Sequence, residues 1–228
     1  TLGETYEVES EKTEPHALKQ RAEPYDLRTA PRGVLIVTAA VDVQVDRWEI
    51  GVWGWGRGEE GWVLDHLVLH GNPADETEWD KVLLPALQAT LRHASGATLK
   101  IEASAIDTGG HFTHFVYEYV RTREARRIFA VKGESRDGQP IVAGSGMVDV
   151  NANGKVIKNG LRLWRVGTDT AKDLIFSRLR LTQPGPGYIH LSKELPPEFF
   201  EQLTNEQRVE QTTRSEERRV GKECRSRW

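Results

Sequence analysis

The chain has a single cysteine among its 228 residues, Cys224, close to the C-terminus. One cysteine excludes an internal disulfide framework and any cysteine-based zinc site. No stretch approaches the roughly 18 apolar residues of a membrane span. The opening residues, Thr1-Leu2-Gly3-Glu4, have neither an initiator methionine nor the charged-then-apolar pattern of a secretory signal. The chain is therefore expected to be soluble, with no membrane partner, and to be a fragment. It contains no G-x-x-x-x-G-K-[ST] segment, so an ATP site is not expected in this piece. It has no internal repeat. Charge of one sign is also scarce: 31 Lys and Arg stand against 34 Asp and Glu, a net charge of −3.

Residues Arg214 to Trp228 resemble the translation of a common sequencing adapter and are set aside from fold reasoning. They hold six basic and three acidic residues, so the remainder carries about −6. Such a balance counts weakly against a nucleic-acid partner, since phosphate contacts need Lys and Arg. Bound metal ions would supply the missing positive charge locally.

Two aspartates end apolar runs. Asp42 follows Val34 to Val41, and Asp107 follows Leu99 to Ile106. Runs of this kind read as strands buried on both faces, and an acid at the carboxyl end emerges where open α/β sheets place their ligands. Residues 1–31 read as a polar, proline-punctuated lead-in. Three strands follow, at Val34–Val45, Trp48–Trp55 and Gly61–Leu69, joined by short turns into an antiparallel meander. Asp75, with Glu78 three residues on, marks a helix start, and Trp79, Val82, Leu83, Ala86, Leu87 and Leu91 would share one face, with Pro85 kinking it. A strand at Thr98–Asp107, a helix carrying Phe112, Phe115, Val116, Tyr119 and Val120, and a short strand at Arg127–Lys132 come next. The return through a helix makes the fourth strand parallel to the first. Residues 133–160, with hairpin signals at Asp137-Gly138 and Asn153-Gly154, read as an excursion at the sheet edge. A strand at Leu161–Val166 and a helix from Thr168 to about Leu181 complete the pattern.

With Asp46-Arg47 as a two-residue hairpin loop, Gln44 would face Glu49 and Asp42 would face Gly51. Asp42 and Glu49 would then be diagonal neighbours on one face, with Asp107 at the same edge. Three carboxylates converging repel one another unless protonated or bound to a cation. Mg²⁺ and Mn²⁺ favour such oxygen donors, and two ions about 4 Å apart support phosphodiester cleavage. The same residues also admit a plainer reading, in which Asp42 ends a strand, Asp107 opens an Asp-Thr-Gly-Gly turn and Glu49 is solvated. Asp169 reads as a helix N-cap and Asp173 as a surface residue, both able to approach the acids. Lys172 and His111 are possible substrate contacts. Trp48, Trp53, Trp55 and Trp62 read as packing rather than as a stacking platform.

Several segments together resemble the nuclease domain of the large terminase subunit of lambda-type tailed phages. They are Ala40-Val41-Asp42-Val43-Gln44-Val45-Asp46-Arg47-Trp48-Glu49 with Val52-Trp53-Gly54-Trp55-Gly56, Asp107-Thr108-Gly109-Gly110, Val131-Lys132-Gly133, and Gly167-Thr168-Asp169-Thr170-Ala171-Lys172. The resemblance runs in order from about Gly33 to Gln207. It implies an α/β, RNase H-like mixed sheet of three antiparallel strands, then parallel strands with helices on both faces. It implies a two-metal (Mg²⁺ or Mn²⁺) endonuclease that cuts concatemeric double-stranded DNA, with Asp42 and Asp107 as metal-binding acids and Glu49 as a third catalytic acid. The small terminase subunit and the portal protein are the implied partners, and the host cytoplasm the implied setting. Residues 1–32 would lead in from an upstream ATPase domain, 33–207 would form the nuclease domain, and 208–228 an unstructured tail. The family's last active-site acid would lie beyond Gln207, so the fragment is expected to cut weakly or not at all. Two alternatives remain open at this point: another RNase H-fold phosphodiesterase of the transposase or resolvase type, and a non-catalytic module that docks DNA or the portal.

Overall fold

The computed structural model describes residues 15–134, 136–152 and 154–204. The expectations for residues 1–14, for Asn153 of the Asn153-Gly154 signal and for the tail from residue 205 onward lie outside the described residues. In chain order the elements are α1 (Pro15–Gln20), β1 (Thr29–Ala30), β2 (Ile36–Val43), β3 (Arg47–Trp55), β4 (Gly61–His70), α2 (Glu76–Glu78), α3 (Leu84–Leu87), β5 (Thr90–His93), β6 (Thr98–Asp107), α4 (Thr113–Arg121), β7 (Ile128–Glu134), β8 (Val142–Ala152), β9 (Lys155–Gly167), α5 (Thr168–Leu179), β10 (Ile189–His190) and α6 (Pro197–Thr204).

The main sheet runs in the order β10-β4-β3-β2-β6-β7-β9-β8. Strands β2, β3 and β4 are antiparallel neighbours, whereas β2, β6, β7 and β9 run parallel. Along β3 the burial alternates with period two: Trp48, Ile50, Val52 and Gly54 are buried, with Arg47, Glu49, Gly51 and Trp53 only partly so. One face of the sheet buries Val41, Ile50 and Ile106 against Trp79, Leu83, Val116 and Val120. The other face, over β3 and β4, buries Val63 and part of Trp53 under Leu18, Leu179, Phe199 and Phe200. Helices therefore cover both faces of a mixed sheet. The architecture is RNase H-like.

Several expectations change in detail. The hairpin loop is Val45-Asp46, one residue earlier than Asp46-Arg47, so Asp42 pairs with Glu49 and Val43 with Trp48. Gln44 N–H donates to Arg47 O at 2.9 Å and closes this turn, leaving the apolar Val45 70% exposed at its tip. Leu91 is on strand β5, paired with Leu99, and not on the preceding helix. That helix passes Pro85 through a π-turn over Trp79–Leu83, in which Leu84 N–H bonds to Trp79 O; a wide turn just before a proline accommodates a residue that cannot donate. The Asp75 side chain accepts from Thr77 N–H at 2.8 Å, as an N-cap should, while Glu78 reaches back to Asn72 N–H at 2.6 Å and so closes no box with Asp75.

Residues 133–160 are no excursion. Most of them form β8 and the first half of β9, a long antiparallel pair at the sheet edge. Asp137-Gly138 closes no hairpin, because β7 pairs with β9 and not with β8. The alternation there was masked by interspersed Gly, Asn and Asp, and by an irregularity between Val148 and Val150. Residues 15–32 place Leu18, Ala22 and Ala30 in the two cores, so this polar stretch packs through a few apolar side chains. Asp169 is not a cap: α5 starts at Thr168 behind Gly167, with Asp169 in its first turn.

Candidate active site

Strand register assembles the site. Val41 of β2 pairs with Ile106 of β6, and both are buried in the main core. The next residues, Asp42 and Asp107, therefore stand side by side on the opposite face, at the carboxyl ends of two parallel strands. Glu49 pairs directly with Asp42 from β3. All three acids are half-buried. They form a row across β3, β2 and β6.

The turn after Asp107 is pinned. Thr108 donates to Val131 O from both its N–H and its Oγ1, each at 2.9 Å. Gly109 N–H donates to Asp107 Oδ1 at 3.1 Å. A Cβ on Gly109 would lie 3.2 Å from the other carboxylate oxygen, so a larger residue would crowd the acid. Thr113 Oγ1, in the first turn of α4, reaches Thr108 O at 2.7 Å and Gly110 O at 3.0 Å. Sheet, turn and helix thus hold Asp107 in one place.

Burial pushes the Asp42 carboxyl above its ordinary range, the Gln44 hydrogen bond opposes that rise, and the charges of Asp107 and then Glu49 reinforce it. His66, on β4 opposite Gly51 and with its ring 5.3 Å from that of Phe199, is pushed down by burial against the pull of Glu49 and Asp65. The three carboxylates are nevertheless held separately. Asp42 accepts from Gln44 Nε2. Glu49 accepts from Arg47 Nε at 2.8 Å, and Arg47 also bridges to Asp46 at 2.9 Å. Among the described residues no group of three or more His, Cys, Asp or Glu is gathered to hold a metal ion. The donor set still fits a hard cation in kind: three carboxylates share one face, and their mutual repulsion is what a divalent ion would relieve.

His111 is exposed in the loop between Asp107 and α4. Asp169, Lys172 and Asp173 are on α5, which begins where β9 ends, at the same end of the parallel strands but two strands beyond β6. The charges acting on Asp42 are those of Asp107 and Glu49. Trp48 and Trp62 are buried, and Trp53 stacks on Trp55 at 5.7 Å, which is packing as expected. Gln44, Arg47 and His66 escaped the sequence reading. Gln44 and Arg47 flank the hairpin tip, a signal that the misplaced loop hid.

Comparison with known proteins gives a consistent result. Residues 1–227 match the family described as terminase large subunit gpA, endonuclease domain. The chain is 36% identical to the terminase large subunit of Escherichia phage lambda over 220 residues, which cover 92% of this chain and 32% of that protein. It is 32% identical to the terminase large subunit of Enterobacteria phage P21 over 214 residues, again 92% of this chain and 32% of the relative. The chain thus spans about a third of the length of these relatives. No solved structure matches it at a significant level.

Proposed function

The chain belongs to the family of terminase large subunit gpA endonuclease domains, and on that premise we propose that it is a divalent-metal-dependent nuclease module that cuts concatemeric double-stranded DNA for packaging. The observation that carries the proposal is the register that sets Asp42 directly opposite Glu49 and beside Asp107 on one face of the sheet. Asp42 and Asp107 would hold the metal, with Glu49 completing the oxygen donors. A bound pair of Mg²⁺ or Mn²⁺ ions supplies an activated water and a counter-charge for the leaving oxygen. The chain's own contribution is to fix those donors: the double hydrogen bond of Thr108 to Val131 and the Thr113 clasp set Asp107, and the β2–β3 pairing sets Asp42 against Glu49.

His111, in the loop after Asp107, is proposed to touch the DNA substrate, and Lys172, on α5, to contact a DNA phosphate. The small terminase subunit and the portal are the partners proposed for the longer protein, working in the host cytoplasm. No helix among the described residues is long and apolar enough to cross a membrane.

The test is nicking of supercoiled plasmid. Cleavage that needs Mn²⁺ or Mg²⁺, is favoured by Mn²⁺ and stops with EDTA is the expected result. Metal-independent cleavage, or cleavage undiminished in a folded Asp42→Asn protein, contradicts the proposal.

A further inference from the structure

Glu49 is the acid of the row that is held by an arginine. Its side chain is only 12% exposed, yet its carboxylate is taken by Arg47 from two positions earlier on the same face of β3. Arg47 is itself 34% exposed and has a second partner, Asp46, at the solvated hairpin tip. Swinging Glu49 toward Asp42, its direct cross-strand partner, would add a like charge to a carboxyl already disfavoured in its charged form. Arg47 is therefore the counter-ion of Glu49 in this arrangement.

A guanidinium fork matches a phosphodiester as well as it matches a carboxylate. Asp46 is exposed and Arg47 is partly so, so a phosphate can reach the guanidinium from solvent even though Glu49 itself is largely buried. We propose that Arg47 is a displaceable counter-ion: it holds the Glu49 carboxylate in the free protein and passes to a DNA phosphate on binding, releasing Glu49 to join Asp42 and Asp107, so that the acid set closes only around substrate. This rests on the nuclease reading above and adds a regulatory step to it. Premature metal loading would then be held back by the same residue that recognises the backbone.

The test uses Arg47→Gln and Arg47→Lys in the full chain, checked for folding by circular dichroism. Two readouts are taken: Mn²⁺ binding without DNA by isothermal titration, and binding of a duplex oligonucleotide against salt in Ca²⁺. Arg47→Gln is expected to tighten Mn²⁺ binding roughly two- to fivefold, the scale of releasing one ion pair whose arginine is partly exposed. It should also weaken duplex binding and make the slope of log K against log salt shallower by about 0.9, one phosphate contact. Arg47→Lys should keep the salt slope while loosening Glu49 only in part. A purely structural arginine would lower the melting temperature and leave both readouts unmoved. Unchanged or weaker Mn²⁺ binding in a folded Arg47→Gln protein overturns the exchange while leaving the nuclease reading intact. Absence of Mn²⁺ binding in wild type and variants alike overturns both.

Discussion

Trp48 links the core to the site, and replacing it separates packing from polar cost. Its ring is fully buried, meets Trp79 edge-on at 5.5 Å, and through Trp79 reaches Tyr119 at 4.9 Å. Its indole N–H is buried with no hydrogen-bond partner among the described residues. Trp48→Ala opens a cavity costing about 3–5 kcal/mol, and losing the aromatic contact adds about 0.5–1.5 kcal/mol. At about 2–4 °C per kcal/mol for a domain of this size, the melting temperature should fall by roughly 7–26 °C. Trp48→Phe keeps a ring against Trp79 and loses about 1.5 kcal/mol of apolar burial at ~0.8 kcal/mol per CH₂. It also removes an unsatisfied donor, which returns about 1–3 kcal/mol. The two effects offset one another, so this variant should melt between about 2 °C below and about 6 °C above wild type. Because Trp48 faces away from Glu49, metal-dependent nicking should survive in Trp48→Phe. Urea and thermal unfolding monitored by circular dichroism decide the matter. A phenylalanine variant as unstable as the alanine one would refute the offset, and an alanine variant that melts like wild type would refute the packing role itself.

Removing the Thr113 hydroxyl with Thr113→Val strips two carbonyls of their donor. It should cost about 1 kcal/mol by urea titration and lower nicking more than that loss of folded protein explains, since the Asp107 turn loosens. For His66, burial holds the proton affinity below the ordinary value of 6.5, so the folded state takes up a proton less readily than the unfolded chain. Its contribution is present above that pH and is lost as pH falls through it toward the folded value. His66→Gln should flatten the stability profile between neutral pH and pH 5, and an unchanged slope in the variant would show that another group carries it.

What the sequence made legible follows from period and position. The runs ending in Asp42 and Asp107 alternate or stay apolar over enough residues to declare themselves as strands, and β6 begins and ends at Thr98 and Asp107 as expected. Parity alone put Asp42 and Glu49 on one face. That conclusion survives the error in the hairpin loop because moving the loop by one residue shifts the pairing by two, which preserves the face. The direct pairing itself was not legible, since Val45-Asp46 and Asp46-Arg47 are equally short loops and the exposed Val45 argues against its own position. Asn153-Gly154 signals a hairpin, and β8 and β9 pair antiparallel up to Ala152 and Lys155. The strands themselves were hard to read for a different reason: an edge pair with one solvated side carries Gly, Asn and Ser where a buried strand carries Val and Ile. Side-chain pairing such as Arg47 with Glu49 depends on rotamers that no spacing rule encodes.

The central claim is that Asp42 and Asp107 are the heart of a metal-dependent nuclease site. It is tested most directly by plasmid nicking in Mn²⁺ with wild type, Asp42→Asn and Asp107→Asn side by side, each variant matched for folding. Burial and two neighbouring acids already disfavour the charge on Asp42, so its amide variant should melt at or above the wild-type temperature. The account predicts nicking by wild type that disappears in both stable variants. Nicking that persists undiminished in a folded Asp42→Asn protein would contradict it.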